Sequence, residues 1–350
     1  IPVSVIMGIY NEPLEWIRKS IDSILNQTFV DFEFIIVNDN PLRFENYDLL
    51  KKYQRIDKRI VIINNEFNMG LTESLNKALL LAKGKYIARM DADDISLSNR
   101  FEKQYDYMEN NSNVIVCGTN VRYIGKVMFF YFSRIKYTNE EIKGQLFLDS
   151  CFVHSTVFIR HSVLIENNIY YDVSYKQAQD YKLWLDLLKL GDYANLRECL
   201  LEYRISSLQI SNLKLKNQQS YRISIRKKMI IQYFDLMGQK IELPNVLLFN
   251  DFQKMRKLIF CNMKIGDYEI ISRYLLESLY YSIEKDLYIL FYSIFKGDFI
   301  YFNGGGYIRF ILMCFRQKKC YGKLLCNNRE NSLYIASVVF VFSIYNFWIS

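Results

Sequence analysis

Along the first 120 residues, short apolar runs alternate with stretches in which apolar residues recur every three or four positions. Val3–Gly8 is one such run, and it gives way to Tyr10-Asn11-Glu12-Pro13. Leu14, Ile17, Ile21, Ile24 and Leu25 then fall at helical spacing, with Pro13 suited to an opening turn. Phe32–Val37 predicts a second strand ending in Asn38-Asp39-Asn40, and Ile60–Ile63 a third. Leu71, Leu75, Leu79 and Ala82 line one helical face that stops at Gly84. Tyr86–Met90 predicts a fourth strand, broken by Asp91-Ala92-Asp93-Asp94. A helix from about Ser98 to Met108 and a strand at Val114–Cys117 follow. Strands alternating with helices predict an α/β class: a mostly parallel central sheet with helices on both faces.

The later part reads differently. Tyr221–Met237, Asp251–Met263, Asp267–Ile283 and Leu287–Phe295 have apolar spacing that predicts helices. Leu333–Ser350 holds no charge over 18 residues, the lower limit for a membrane span, and Arg316, Lys318, Lys319, Lys323 and Arg329 precede it. That arrangement predicts a peripheral contact with an anionic lipid surface, with a buried helical bundle as the alternative. Charge marks the same division. Of the net +8, residues 1–204 carry −2 and residues 205–350 carry +10, with 27 of the 56 aromatics. Nucleic-acid binding would rest on that basic part alone and is not expected.

Composition narrows the chemistry. Two histidines, His154 and His161, cannot build a multi-histidine metal centre. Seven cysteines without a CxxC pair argue against a zinc ribbon. No basic-then-apolar leader precedes Pro2-Val3-Ser4, so a cytoplasmic location with reduced thiols is expected. GxGxxG and GxxxxGK[ST] are both absent, which argues against a dinucleotide dehydrogenase and a P-loop NTPase.

Polar residues cluster where three of the expected strands end: Tyr10-Asn11-Glu12, Asn38-Asp39 and Asp91 to Asp94. In open parallel sheets ligands bind outside the carboxyl ends of strands, so these clusters should converge on one crevice. Asp91, Asp93 and Asp94 within four residues repel one another unless a cation neutralises them. Hard oxygen donors suit Mg²⁺ or Mn²⁺, which usually bridge to substrate phosphates. A polar turn capping the next helix is the simpler alternative. Arg89 and Arg100 are open between facing phosphate and lying on the surface. Asp180 is open between a chemical role and capping the helix over Tyr181–Leu188. His154 is open between a hydrogen-bonded structural histidine and an acceptor or pyrophosphate contact.

Seven ordered blocks resemble glycosyltransferase family 2. They are Ser4-Val5-Ile6-Met7-Gly8-Ile9-Tyr10-Asn11-Glu12; Ser20 to Phe29 with Asp31-Phe32-Glu33; Asn68-Met69-Gly70-Leu71 with Leu75-Asn76; Gly84 to Asp94; His154-Ser155-Thr156-Val157-Phe158; Gln179-Asp180-Tyr181-Lys182-Leu183-Trp184; and Tyr203-Arg204-Ile205 with Gln209-Ile210-Ser211. The resemblance covers roughly residues 2–212. It implies a GT-A fold over 1–212, with a nucleotide-sugar-binding half over 1–120 and an acceptor half over 121–212. Residues 213–350 would be a helical, basic and aromatic extension.

The same resemblance implies a metal-dependent inverting enzyme. It would move one sugar from a nucleotide-sugar, expected to be UDP-linked, to a glycan or lipid-linked acceptor in surface polysaccharide biosynthesis. The location expected is cytoplasmic, at the inner face of the cell membrane if the C-terminal segment contacts lipid. Ile9, Tyr10, Glu12, Asp39, Asn68, Asp91 and Ala92 would border the donor. Asp93, with Asp91, would hold Mn²⁺ or Mg²⁺. Asp180 would be the general base, with His154, Gln179 and Trp184 as acceptor or pyrophosphate contacts. Two departures stand out: Asn38 replaces the first of two paired acids, and Gln179 replaces the acid before Asp180. Losing that like charge predicts a less basic Asp180. QxxRW is absent, which fits one sugar per encounter rather than processive synthesis. A sugar-phosphate nucleotidyltransferase would need a Gly-rich first turn in place of Gly8-Ile9-Tyr10-Asn11-Glu12. A silent saccharide- or membrane-binding scaffold would not need Asp39, Asp91, Asp93 and Asp180.

Overall fold

Parallel strands covered on both faces must be apolar on both faces, and the most continuous apolar runs of the chain take those positions. They are β1 (Val3–Ile9) and β2 (Phe32–Asn38), which pair in parallel from Val3 opposite Phe32 to Ile9 opposite Asn38. β3 (Ile60–Asn64) joins the outer side of β2, and β4 (Tyr86–Arg89) joins β1, both in parallel. The computed structural model describes residues 1–125, 135–206, 215–236, 238, 240–243, 249–263, 274–276 and 278–280.

Beyond β4 the sheet changes direction. β5 (Ile95–Ser96), β6 (Val114–Gly125), β7 (Phe158–Arg160) and β8 (Asp192–Ile205) complete one eight-stranded sheet in the order β3-β2-β1-β4-β7-β6-β8-β5. β7 enters antiparallel to both β4 and β6, β8 runs parallel to β6, and β5 pairs antiparallel with β8. The expected parallel sheet is thus the β3-β2-β1-β4 half, and a mixed half is fused to its edge. β6 is three times the length expected from Val114–Cys117, because it bulges at Thr119–Val121 and continues beside β8.

Helices cover both faces. Val3, Val5 and Met7 point one way along β1, against Ile17, Ile21 and Ile24 of α1 (Leu14–Leu25). Leu49 and Leu50 of α2 (Phe44–Ile56) and Phe101 and Met108 of α4 (Arg100–Asn110) join that cluster. Ile6, Ile35 and Val37 point the other way, against Leu75, Ala78 and Leu79 of α3 (Leu71–Leu81). Each of these fully buried Ile, Leu and Val side chains contributes about 1.5–3 kcal/mol. Gly84 follows α3 where the chain crosses β1; a Cβ there would lie 2.3 Å from the Ser4 amide nitrogen, so only glycine fits.

The second cluster runs on into the later elements: α5 (Asn139–Gln145), α6 (His161–Glu166), α7 (Gln179–Leu187) and α8 (Leu215–Leu236). Ile225, Met229, Ile230 and Phe234 of α8 share it with Leu183, Trp184 and Leu187 of α7. α9 (Phe249–Met263) adds Phe252, Met255 and Ile259. The helices expected at Tyr221–Met237 and Asp251–Met263 correspond to α8 and α9. Of Asp267–Ile283 only the helical turns 274–276 and 278–280 are described. Leu287–Phe295 and Leu333–Ser350 lie outside the described residues. Among the described residues no helix is long and apolar enough to cross a membrane. Cys117, Cys151 and Cys199 are unpaired thiols.

Candidate active site

The three polar strand ends meet, as the topology requires. The backbone of Asp39 donates to the Ile9 carbonyl at 2.9 Å, locking the exits of β1 and β2 together. Ile9 is buried and Tyr10 is exposed. The Tyr10 amide donates to Glu12 Oε2 at 2.7 Å, while Asn46 Nδ2 and Arg43 Nη1 hold the carbonyls of Tyr10 and Glu12, each at 2.8 Å. Burial, with the Asp91 charge nearby, raises the Glu12 carboxyl above its ordinary range.

Asp39 is almost wholly committed to its own protein. Oδ1 accepts from Asn65 Nδ2 and from the Met69 amide, and Oδ2 accepts from the Gly70 amide, all at 2.8 Å. Gly70 sits at φ +87°, a left-handed conformation natural to glycine, and this turns the loop's amides toward the carboxylate. Asn68 lies exposed on that loop. Asn38, in place of an acid, is absorbed into amide contacts with Asn64, Asn46 and the Asn40 backbone.

The acidic turn after β4 is the most highly charged part of the site. Asp91 is ion-paired to Arg89 through Oδ1, and its Oδ2 accepts from Ser155 Oγ at 2.5 Å. Burial would raise its pKa, but Arg89, His154 and Ser155 hold it below the usual range. Ser20 Oγ donates to the Asp91 carbonyl at 2.8 Å and fixes the turn to α1. Ala92 is buried beside it. Asp93 is pushed up to about 7 by burial and by the charges of Asp91 and Glu12. Burial together with Asp93 and Asp91 carries Asp94 well above the carboxylate range; one of its oxygens accepts from the Arg204 amide at 2.8 Å and the other has no partner.

Neither arginine behind this turn is at the surface, against the simpler expectation. Arg89 and Arg100 are fully buried. Arg100 reaches the Arg89 carbonyl at 2.8 Å and Gln104 Oε1 at 3.0 Å, and burial pushes it down to about 9. They act as internal counter-charges to the acidic turn. Among the described residues no three His, Cys, Asp or Glu side chains converge to hold a metal unaided. The carboxylates present nonetheless fit a Mg²⁺- or Mn²⁺-type site completed by substrate phosphates: Asp93 is crowded by like charge, and its oxygens make no side-chain hydrogen bond within the described set.

From Asp91 a run of contacts leads to Asp180. Ser155 adjoins His154, whose Nε2 is 2.8 Å from the Tyr171 hydroxyl and whose ring meets Trp184 edge-on at 6.2 Å. Burial, reinforced by Arg89, pushes His154 down to about 3, so it stays neutral at physiological pH. Trp184 Nε1 donates to Ser150 Oγ at 3.2 Å, and Ser150 Oγ is 3.1 Å from Asp180 Oδ2.

Asp180 is the second residue of α7, which begins at Gln179, and the N-cap position is Ala178. Burial raises its pKa, Asp149 adds to the rise, and the Tyr181 amide, Ser150 and Arg222 oppose it. The like charge missing at Gln179 is therefore supplied by Asp149, and the lowered basicity expected from the sequence is countered. Gln179 itself is buried, and its Oε1 has no partner.

Several participants have no role assigned by the sequence, although Arg204 falls within one of the resembling blocks. Arg204, at the end of β8, donates through Nε to the Asp93 carbonyl at 2.7 Å and stacks over Trp16 with its guanidinium carbon 4.7 Å from the ring. Asp149 and Ser150 are neighbours in the segment after α5 and Arg222 lies on α8, and Asp149 pairs with Arg222 at 3.3 Å. A concavity of about 640 Å³ lies along α2 between Tyr47, Lys51 and Arg55. It is an open groove on one helix, lined by charged and polar side chains of that helix alone, whereas the strand-end acids come together from separate elements, so the chemistry is placed there.

Residues 4–171 match the model of the family described as Glycosyl transferase family 2. An uncharacterized glycosyltransferase of Methanocaldococcus jannaschii is 39% identical over 239 residues, spanning 67% of this chain and 78% of the relative. The O-antigen biosynthesis glycosyltransferase WbnJ of Escherichia coli is 37% identical over 243 residues, spanning 67% of this chain and 93% of the relative. In three dimensions the chain resembles Staphylococcus aureus TarS 1–349 in complex with UDP-GlcNAc, with a TM-score of 0.55 at 15% identity, over 81% of this chain and 82% of that one. That likeness shows the fold, GT-A. Fold, ordered motifs and close relatives agree: the chain is a glycosyltransferase and belongs to glycosyltransferase family 2.

Proposed function

We propose that this glycosyltransferase moves a single sugar from a UDP-linked donor to a saccharide or lipid-linked acceptor, with inversion, in surface polysaccharide synthesis. The observation that carries this reading is the division of labour among carboxylates. Glu12, Asp91, Asp93 and Asp94 crowd one end of the site, and Asp180 stands apart at the other. The name of WbnJ places it in O-antigen biosynthesis, and TarS was solved with UDP-GlcNAc, which supports the product and donor classes.

Ile9, Tyr10, Glu12, Asp39, Asn68 and Ala92 border the donor. Asp39 acts by fixing the Met69–Gly70 loop against the nucleoside side. Asp91, already bound to Arg89 and Ser155, faces the ribose; Asp93 is the principal holder of Mn²⁺ or Mg²⁺. When bound, the cation supplies electrostatic stabilisation of the departing diphosphate. Asp180 takes the acceptor hydroxyl proton as that oxygen bonds to the anomeric carbon and the bond to the diphosphate breaks. His154, neutral and hydrogen-bonded to Tyr171, packs between the two ends with Trp184, and Gln179 borders the acceptor. Residues 1–212 form the catalytic unit, α8 and α9 support the acceptor side, and the basic, aromatic C-terminal region contacts the cytoplasmic face of the membrane.

Calorimetric titration with uridine nucleotide-sugars, with and without a chelator, tests the metal reading. One donor is expected to bind with Mn²⁺ or Mg²⁺, and Asp93→Ala to weaken it by about 100-fold or more, as loss of a principal metal ligand should. Donor binding indifferent to chelation would overturn the assignment.

A further inference from the structure

The hydrogen bonds around Asp180 have a fixed direction, and that direction tells its two oxygens apart. An indole N–H can only donate, whereas a hydroxyl has one proton to give and two lone pairs. Trp184 Nε1 donates into Ser150 Oγ at 3.2 Å, and the next polar atom in line is Asp180 Oδ2 at 3.1 Å. The sense in which every proton has an acceptor is Trp184 to Ser150 to Asp180. We infer that Ser150 and Trp184 are positioning residues of the transfer reaction: they reserve Asp180 Oδ2 as an acceptor and leave Oδ1 to take the proton of the acceptor hydroxyl. This inference rests on Asp180 being the base.

The chain is rigid at each link. Trp184 is fully buried and wedged edge-on by Phe152 at 5.2 Å and His154 at 6.2 Å, so its N–H cannot swing away. The Ser150 amide donates to Asp149 Oδ1 at 2.8 Å, and that same oxygen is 3.3 Å from Arg222 Nε on α8. Position 150 is thereby pinned from α7 on one side and from α8 on the other. A hydrogen bond donated to a carboxylate favours its ionised form, so Ser150 works against the burial that raises Asp180. The other charged or titratable groups facing Asp180 are Asp149, Arg222, the buried Cys151 thiol and the Tyr171 hydroxyl, and all remain in place when Ser150 is changed.

The test is the pH profile of kcat/KM for the acceptor, at saturating donor and cation, in Ser150→Ala, Ser150→Thr and Trp184→Phe, with donor affinity measured in parallel. Losing one hydrogen bond to the ionised form should move the acid limb of Ser150→Ala upward by about one pH unit, a tenfold loss on that limb. Donor affinity should stay within about threefold, and Ser150→Thr should restore the limb. Trp184→Phe frees the hydroxyl to rotate and should move the limb the same way by less; it also tests the chain if Ser150→Ala does not fold. An acid limb that stays put in folded Ser150→Ala and in Trp184→Phe overturns the inference. So does a pH-independent loss that Ser150→Thr fails to rescue. Asp180→Asn with near wild-type transfer would instead overturn the base assignment itself, a distinct result.

Discussion

The two ends of the site solve opposite electrostatic problems. At the donor end four acidic side chains are packed together, with Arg89 and Arg100 buried beneath them and Arg204 laid across the turn. At the acceptor end Asp180 is held by a neutral hydroxyl and has Asp149 and Arg222 as balanced neighbours. On the proposed function, the crowded acid cluster is suited to a cation and the carboxylate raised by burial to taking a proton. The difference teaches that count and spacing of acids matter less than what lies behind each one.

The sharpest way to break the comparison is Asp180→Asn. It keeps size and hydrogen-bonding capacity but cannot take a proton, so transfer should fall by about 10²–10⁴-fold. Donor affinity, set at the other end, should stay within about threefold. Because the folded protein raises the Asp180 pKa, its ionised form is disfavoured by folding once pH exceeds the unfolded value. Thermal melts at neutral pH should therefore show Asp180→Asn at least as stable as the parent, whereas a helix cap would leave it less stable.

Arg100→Met strikes the donor end from beneath. It strands the buried Arg89 carbonyl and Gln104 Oε1, each loss costing about 1–3 kcal/mol that denaturant unfolding would read. Arg204→Ala leaves the core alone but frees the Asp93 carbonyl and the Trp16 face. Cation-dependent donor affinity should drop about 10–100-fold, as for other residues that orient a metal ligand, with the acceptor-end pH profile unchanged. Lys103→Ala, which removes an exposed pair with Glu198, should change stability by less than about 1 kcal/mol. If it matched Arg100→Met, the contrast between buried and exposed charge would fail.

What could be read beforehand follows the same physics. β1, β2 and β4 are buried on both faces and announce themselves as apolar runs, and the strand-end acids follow from them. α2 was not legible, because Phe44, Tyr47 and Ile56 face solvent and only Leu49 and Leu50 mark the buried stripe. β8 was hidden by Arg197, Glu198 and Glu202, charges that sit on the open side of an irregular pairing. The spacing of Asp91, Asp93 and Asp94 suggests a cation by charge alone, but the separate roles proposed for Asp91, Asp93 and Asp180 rest on motif resemblance, since isolated acids are silent about their depth. Ser150, Asp149 and Arg222 carry no local pattern. Their meaning exists only once α7, α8 and the segment before His154 have packed, and no periodicity encodes that.

The Arg204 strap also sets an order of assembly. Its amide meets Asp94 across 110 residues of chain, and the small β5 strand finds its partner only in β8, at Leu201 and Glu202. Synthesis proceeds from the N-terminus, so the parallel half can collapse on its local contacts well before the last strand exists. Until then the acidic turn has its internal arginines but no lid. A fragment cut at residue 171, where the family match ends, would keep Asp91, Asp93 and Asp94 yet lack both Asp180 and the strap. The acidic turn, though written within the first hundred residues, is finished only when β8 has been made.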